Sequence, residues 1–244
     1  DKFTKQYDGK ILCIDEIHRY PNWAQELKNI YDFYPKFQII FSGSSSINLI
    51  QEKYDLSRRT ILKKLYGFSF REYLEFTLKE KLPLLNLEQL LNGDSKKTGE
   101  ISGIPKLLGH FNDYLKLGYY PFSHELGNER DFYDALLGVI EKVIYQDISS
   151  FYSLKTKTLN VFKKILYFIA TSLPGSININ NLSNSLKKDH TDTGGYLDML
   201  KNSGLLRYLL IDKTGHALIR NTEKVFINNT NLHYAINYDI GKPV

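Results

Sequence analysis

The sequence is poor in sulfur and has no long apolar runs. It contains one cysteine, Cys13, and one methionine, Met199. A single cysteine excludes internal disulfide bonds and any metal site built from several cysteines. No apolar run is long enough to cross a bilayer, so the sequence predicts no membrane-spanning helix. The opening residues Asp1–Lys5 lack the charged-then-apolar pattern of an export signal. We therefore expect a cytoplasmic protein that makes no membrane contact.

The composition is that of a globular protein. Hydrophobic residues make up 42%, aromatic residues 14% and charged residues 24% of the 244 positions. This is too much apolar side chain for a disordered chain, and the length allows one large domain or two to three small ones. The sequence does not begin with methionine. We therefore expect this chain to be a piece of a longer protein.

The excess of positive charge is concentrated in one segment. Residues 153–221 carry 10 Lys and Arg against 4 Asp and Glu, whereas the chain as a whole has a net charge of +5. A local basic excess favours polyanionic partners, but it is equally typical of a solvated lysine-rich face. Both interpretations remain open at this point.

The first 80 residues predict an α/β arrangement. Lys10–Ile14 and Phe37–Phe41 are short apolar runs typical of strands buried in a parallel sheet. A helix that opens at Pro21-Asn22 separates them, and Ile61–Phe70 predicts a third strand. Alternating strands and helices indicate right-handed crossovers in a three-layer α/β core.

The rest of the chain predicts a different organisation. Residues 81–152 are mostly helical in pattern. Residues 153–221 predict three short helices and a β-hairpin, the order of a winged helix. The predicted elements of this segment are helices at Leu159–Leu173, Asn181–Lys188 and Thr191–Ser203, a short strand at Ile177–Ile179, and hairpin strands at Leu205–Ile211 and His216–Ile219.

The third of these helices argues against sequence-specific DNA reading. Thr191–Ser203 has a net charge of −1 and contains no Arg or Gln to contact base edges. Any DNA contact is expected to reach the phosphate backbone and to be weakly specific. A winged helix that packs against protein is the other possibility.

Polar side chains follow the first two predicted strands where each strand ends. Asp15 and Glu16 end the first, and the cluster Ser42–Ser46 ends the second. Ligands bind at the carboxyl edge of open α/β sheets, so these side chains are expected at one crevice. An Asp there can hold the water shell of Mg²⁺, and the adjacent Glu can deprotonate an attacking water. The pattern indicates phosphoanhydride hydrolysis, although the serines alone could be a capped turn.

Arg58-Arg59 precedes the third predicted strand. One interpretation is a solvated pair of charges. The other is an arginine finger, which stabilises transition-state charge on a nucleotide held by a neighbouring subunit and therefore implies self-association.

The acidic pair and the serine cluster belong to a longer series of motifs along the chain. The motifs are Ile14-Asp15-Glu16-Ile17-His18, Asn22-Trp23, Glu26-Leu27-Lys28, Tyr31-Asp32, Phe41-Ser42-Gly43-Ser44-Ser45-Ser46, Leu56-Ser57-Arg58-Arg59, Phe68–Leu74, Tyr114-Leu115, Gly118–Pro121, Gln146-Asp147-Ile148 and Val225 through Ala235. Together they resemble the AAA-plus-type ATPases of bacteria and archaea that carry a winged-helix region after the ATPase core. The resemblance implies a partial P-loop core at residues 1–80, a helical lid at 81–152, the winged helix at 153–221, and a linker at 222–244 into an appended nuclease-like domain.

The resemblance also assigns residue roles. Asp15 and Glu16 match the Walker B acids, so Asp15 is expected to hold Mg²⁺ and Glu16 to activate water. Ser42 and Ser44 are expected to contact the nucleotide, with Ser44 sensing the γ-phosphate of ATP. Arg59 matches the arginine that acts in trans, although Arg58 could take that role.

One motif of such ATPases is missing. No Gly-x-x-x-x-Gly-Lys-Ser/Thr occurs in the sequence. We expect this phosphate-binding loop to lie upstream of Asp1, so the chain by itself should neither bind nor hydrolyse ATP well. Two alternatives remain: a non-catalytic DNA-binding or regulatory protein that uses the winged helix, and a degenerate ATPase.

Overall fold

The computed structural model describes residues 10–43, 56, 59–93, 95–173, 177–209, 212 and 224–242. This part of the chain is mostly helical, with a small parallel sheet near its start. None of its helices has the length and apolar character needed to cross a membrane. The chain divides into two compact units, which are described separately. The first unit comprises Asp1–Lys64, Ile140–Ile165 and Asn178–Tyr208, and the second comprises Leu65–Val139, Leu166–Ile177 and Leu209–Val244.

The helices and strands have the following bounds. The strands are β1 (Ile11–Ile14), β2 (Gln38–Phe41), β3 (Leu206–Leu209) and β4 (Lys224–Ile227). The α-helices are α1 (Trp23–Phe33), α2 (Phe70–Leu78), α3 (Leu87–Leu91), α4 (Ser95–Ser102), α5 (Leu107–Asp113), α6 (Glu129–Lys142), α7 (Ser149–Tyr152), α8 (Thr156–Thr171), α9 (Ile179–Leu186), α10 (His190–Asn202) and α11 (Thr230–Asp239). Two π-helical segments, Tyr114–Gly118 and Val143–Ile148, and two short 3-10 helices, Ile17–Arg19 and Pro121–Glu125, complete the set.

β1 and β2 form the parallel pair that the sequence predicted. Ile11 is opposite Gln38 and Ile14 is opposite Phe41, so the two strands end side by side. One face of the pair is open: Ile11 is 52% and Ile40 is 54% exposed. The apolar runs therefore form strands as expected, but this pair by itself does not bury them on both faces.

A small apolar core fixes the segments that follow these strands. Ile17, Trp23, Ala24, Leu27 and Leu56 are its buried members, and Ile14, Ile39 and Phe41 pack against them. The indole of Trp23 lies against the ring of Phe41, with centroids 5.5 Å apart. Both the turn after β1 and the end of β2 are thus anchored to α1.

Helices α9 and α10 of the first unit begin with side-chain caps. The carboxamide oxygen of Asn178 accepts hydrogen bonds from two backbone amides in the first turn of α9. The carboxylate of Asp189 accepts one from a backbone amide in the first turn of α10. Such caps satisfy backbone N–H groups that lack a partner inside the helix. Tyr196 of α10 packs edge-on against Phe162, with ring centroids 5.4 Å apart. The three helices predicted for residues 153–221 are therefore present.

A buried asparagine of α11 forms hydrogen bonds to the backbone of the first π-helical segment in the second unit. Asn231 of α11 is fully buried, and its amide nitrogen donates to the carbonyl oxygens of Leu115 and Tyr114 at 2.8 and 3.2 Å. Its side-chain oxygen accepts a hydrogen bond from the backbone nitrogen of Tyr119 at 2.9 Å. A π-helical segment leaves carbonyl groups without their usual partners. Asn231 supplies such partners for the carbonyl groups of Tyr114 and Leu115.

Two predicted strands are wrong. Residues 61–69 form neither helix nor strand, and Phe70 of the predicted strand Ile61–Phe70 begins α2. A strand needs a hydrogen-bonded neighbour, and the described sheet around β1 contains only β2. The predicted strand at Ile177–Ile179 is also absent, because Asn178 caps α9 and Ile179 begins it.

The winged helix is not confirmed. β3 lies within the predicted first hairpin strand, but its partner in the second two-stranded sheet is β4. The predicted second strand, His216–Ile219, lies outside the described residues. Of the predicted three-layer core, the described residues contain the parallel strands β1 and β2 and the helix α1 that connects them.

Candidate functional site

The carboxylate of Asp15 and the hydroxyl of Ser42 meet where β1 and β2 end. The Ser42 hydroxyl donates a hydrogen bond to Asp15 Oδ1. The backbone fixes this arrangement, because Ser42 N donates to Ile14 O at 2.9 Å and Ile17 N donates to Ser42 O at 3.0 Å. The shared strand register therefore places these two predicted site residues at one edge of the sheet.

Asp15 is held in its ionised form. Its pKa lies below the usual value, chiefly because the Ser42 hydroxyl donates to the carboxylate and secondly because the Glu16 N–H does so at 3.0 Å. The positive charge of Arg19 acts in the same direction. Hydrogen bonds that favour the charged form lower a carboxyl pKa. An exposed, ionised carboxylate is thus available at the strand ends.

Glu16 adopts an unusual backbone conformation, and its carboxylate lies beside Arg19 and His18. Its φ and ψ are 50° and 39°, in the left-handed region that residues other than glycine rarely enter. Its carboxylate oxygen Oε2 lies 3.3 Å from Arg19 Nε and 3.7 Å from His18 Nε2. Strained backbone of this kind is common at functional sites. Glu16 therefore follows Asp15 in sequence, but its side chain is engaged by the 3-10 turn Ile17–Arg19.

The other predicted site residues lie apart or outside the described residues. Ser44 is outside them, as is Arg58. Arg59 forms a bidentate ion pair with Asp32 of α1. Its Nε donates to Oδ1 of Asp32 at 3.0 Å, and its Nη2 donates to Oδ2 at 3.2 Å. The structure thus brings Asp15 and Ser42 together, places the Glu16 carboxylate beside its own turn, and gives Arg59 an intramolecular partner.

The candidate metal ligands at the strand ends are a carboxylate and a hydroxyl oxygen, which are hard ligands of the kind that Mg²⁺ accepts. In the part of the chain that the structure describes, no group of three or more His, Cys, Asp or Glu side chains could hold a metal ion. Mg²⁺ keeps several waters and binds through one or two carboxylates together with phosphates. The ionised Asp15 carboxylate, oriented by the Ser42 hydroxyl, is a ligand set of that kind.

The sequence motifs predicted no site role for His18, Arg19, Asp32 or Asp147. The first two lie beside the Glu16 carboxylate, and Asp32 pairs with Arg59. Asp147 of the second π-helical segment is half-buried, and this burial raises its pKa. His18, Asp32 and Asp147 lie inside motifs that carry the family resemblance, but those motifs do not indicate which residues the side chains contact.

Two families match the chain. Residues 1–74 match a family described as AAA domain, and residues 108–237 match a family described as Domain of unknown function (DUF8612). The first match covers β1, α1, β2 and the edge where Asp15 and Ser42 meet. No solved structure matches the chain.

Two curated proteins of Methanocaldococcus jannaschii are similar to the chain. The uncharacterized protein MJ1637 is 32% identical over 204 residues, which is 82% of this chain and 42% of that protein. The uncharacterized protein MJ1544 is 25% identical over 184 residues, which is 75% of this chain and 37% of that protein. The aligned part of the chain thus spans about two fifths of the length of these relatives.

Proposed function

The chain belongs to the DUF8612 domain family and carries an AAA domain at its N-terminus, and from this premise we propose that it supplies the acidic edge of a Mg²⁺-dependent ATPase that acts as a molecular switch. The observation that carries the proposal is the hydrogen bond between Ser42 and Asp15 at the ends of two parallel strands. In open α/β sheets that edge is the ligand-binding edge. Nucleotide binding is the chemistry that an AAA domain implies.

Each residue at this edge has a defined task in the proposed reaction. Asp15 holds the water shell of Mg²⁺, and Ser42 orients the Asp15 carboxylate by donating to it. Glu16 orients and deprotonates the attacking water. Mg²⁺, when bound, neutralises charge on the phosphates. Ser44 keeps its proposed role as the residue that senses the γ-phosphate.

The open face of the small sheet supports the view that more protein completes this site. Ile11 and Ile40 are about half exposed, and Cys13 of β1, which lies opposite Ile40, is exposed as well. Parallel sheets normally have both faces covered by helices. We propose that further strands and helices of the complete protein cover these residues and supply the phosphate-binding loop, since no Gly-x-x-x-x-Gly-Lys-Ser/Thr occurs in the chain.

We expect the isolated chain to bind ATP far more weakly than the complete protein. Without a glycine-rich loop, no backbone amides cradle the phosphates and no lysine pairs with them. Isothermal titration calorimetry with Mg²⁺ and ATP measures the difference directly. Micromolar affinity of the isolated chain would contradict this expectation.

We expect Asp15→Asn to weaken binding of Mg²⁺-ATP by the complete protein about 10-fold or more, because the neutral amide no longer attracts the hydrated cation. Binding of ATP in EDTA should be unchanged. Asp134→Asn is the matched control, because Asp134 is an exposed carboxylate of α6 in the second unit. Equal loss of affinity with and without Mg²⁺ would count against a metal role for Asp15.

Self-association through Arg59 is a further part of the proposal. The Arg59 guanidinium is 30% exposed and is bound to Asp32, itself 46% exposed. An exposed ion pair contributes little stability, so it can open at small cost. Arg59 could then reach a nucleotide held by a second copy.

Weak DNA binding is the second candidate function. The observation that favours it is the presence of α8, α9 and α10 in a segment with 10 basic and 4 acidic residues. Such contacts would go to phosphates, because α10 carries no Arg or Gln to contact base edges.

A further inference from the structure

The turn that carries Glu16 is fastened to the ends of both strands. The backbone N–H of Glu16 donates to Asp15 Oδ1 at 3.0 Å, and the backbone N–H of Ile17 donates to Ser42 O at 3.0 Å. The side chain of Ile17 is buried in the small apolar core. Arg19 N closes the turn by donating to Glu16 O at 3.0 Å. The backbone of the 3-10 turn is therefore fixed relative to the strand ends.

Two side chains of this turn lie beside one oxygen atom of the Glu16 carboxylate. Arg19 Nε is 3.3 Å and His18 Nε2 is 3.7 Å from Glu16 Oε2. The Arg19 side chain is 69% exposed, whereas the His18 side chain is only 9% exposed. The carboxylate thus has an exposed guanidinium and a buried imidazole ring as neighbours. Both groups are of a kind that donates hydrogen bonds to carboxylate oxygens.

The same turn contains two features that cost free energy. The backbone of Glu16 is left-handed, with a φ of 50°, which residues other than glycine rarely adopt. His18 Nδ1 is buried without a hydrogen-bond partner among the described residues, and an unpaired buried polar atom is unfavourable. The ion pair between Arg19 and Glu16 returns little stability, because Arg19 is exposed. Unfavourable features that cluster in this way are typical of functional sites.

We propose that His18 and Arg19 are positioning residues for Glu16. They hold its carboxylate in one orientation at the turn after β1, so that it can orient and deprotonate the attacking water. A carboxylate without such neighbours would adopt the productive geometry for only part of the time, and loss of orientation lowers a rate. This inference rests on the proposed function, because it assumes that Glu16 acts on water.

The first test compares two replacements of His18 in ATP hydrolysis by the complete protein. Asparagine places its amide group near the position of Nδ1, whereas glutamine places its amide group near the position of Nε2. We expect His18→Asn to lower kcat about 10-fold, with the KM for ATP changed less than about two-fold, because the donor beside Glu16 is lost. His18→Gln should retain at least about half of the wild-type kcat. Equal kcat values in the two variants would overturn the inference.

The matched control is His190→Asn. His190 is an exposed histidine in the first turn of α10 and belongs to the same unit as His18. This variant should leave kcat and KM unchanged, since the replacement lies on the surface. Arg130→Met is the corresponding control for arginine, because the Arg130 side chain is 79% exposed on α6.

The second test repeats the measurements in the Glu16→Gln background. A residue that acts through the Glu16 carboxylate has little further effect once that carboxylate is gone, whereas a residue that only supports the fold has the same effect in both backgrounds. His18→Asn and Arg19→Met should each lower the single-turnover rate about 10-fold in the wild type but change it less than about two-fold in Glu16→Gln. Equal losses in both backgrounds would show a purely structural role and refute the positioning role.

The third test does not depend on activity. The carbon-13 resonance of the Glu16 carboxyl group is recorded at one fixed pH in the wild type, His18→Asn, His18→Gln and His190→Asn. It should move in His18→Asn and stay close to the wild-type position in the other two variants. A resonance that does not move in His18→Asn refutes the positioning role whatever the rate of hydrolysis, whereas a wild type that hydrolyses no ATP refutes the proposed function.

Discussion

We expect Glu16→Gln to lower the rate of ATP hydrolysis by the complete protein about 10²–10⁴-fold while nucleotide binding is retained, because a general base supplies an effect of that size. Glutamine has nearly the same shape as glutamate but cannot accept the proton of the attacking water. The binding residues Asp15 and Ser42 do not depend on the Glu16 side chain: Asp15 receives its hydrogen bonds from the Ser42 hydroxyl and the Glu16 backbone nitrogen. Single-turnover hydrolysis and calorimetric titration measure the two quantities separately.

The matched control for this variant is Glu26→Gln. Glu26 is an exposed glutamate in the first turn of α1, in the same unit as Glu16. Its replacement should leave hydrolysis within about two-fold of the wild type, since the change lies on the surface. A Glu16→Gln protein that hydrolyses ATP at the wild-type rate would exclude Glu16 as the base. The chemistry would then have to be assigned to another group.

The sequence predicted the sheet edge because the signal for it is local. The apolar runs that became β1 and β2 end abruptly in polar residues, and parallel neighbours bring such ends together. The hydrogen bonds from Ser42 N to Ile14 O and from Ile17 N to Ser42 O fix the resulting edge. Asp15 and Ser42 therefore meet where their positions in the sequence indicated.

The strand predicted at Ile61–Phe70 is wrong because an apolar run forms a strand only when a neighbouring strand hydrogen-bonds to it. Ile61 is 84% and Leu65 is 99% exposed, so this stretch buries little within the described part of the chain. Ser69, inside the predicted strand, instead caps α2 through a reciprocal pair of hydrogen bonds with Glu72. A serine followed three residues later by glutamate is a helix-start signal. This capping signal predicts the start of α2 correctly, whereas the apolar run predicts a strand that is absent.

The partners of Glu16 could not be predicted from the sequence. The left-handed backbone of Glu16 directs its carboxylate to Arg19 and His18, and no residue type in this stretch signals such a conformation.

We expect Trp23→Ala to lower the free energy of unfolding by about 3–5 kcal/mol, because it removes the largest side chain of the core beneath the strand ends. Trp23 is 2% exposed and contacts the ring of Phe41, the residue before Ser42. Urea unfolding followed by circular dichroism measures the loss. Phe33→Ala at the end of α1 is the control and should cost under about 0.5 kcal/mol, since Phe33 is 79% exposed.

Trp23→Phe separates packing from hydrogen bonding at the same position. The indole Nε1 is buried and has no hydrogen-bond partner among the described residues, so removing it abolishes an unsatisfied donor. We expect this variant to lose less than about 1.5 kcal/mol, because a phenyl ring still fills much of the space that the indole occupies. A loss in Trp23→Phe as large as that in Trp23→Ala would show that the indole, rather than the volume it fills, holds the end of β2 in place. Since the same core anchors Ser42 through Phe41, the stability lost in Trp23→Ala should be accompanied by weaker binding of Mg²⁺-ATP in the complete protein.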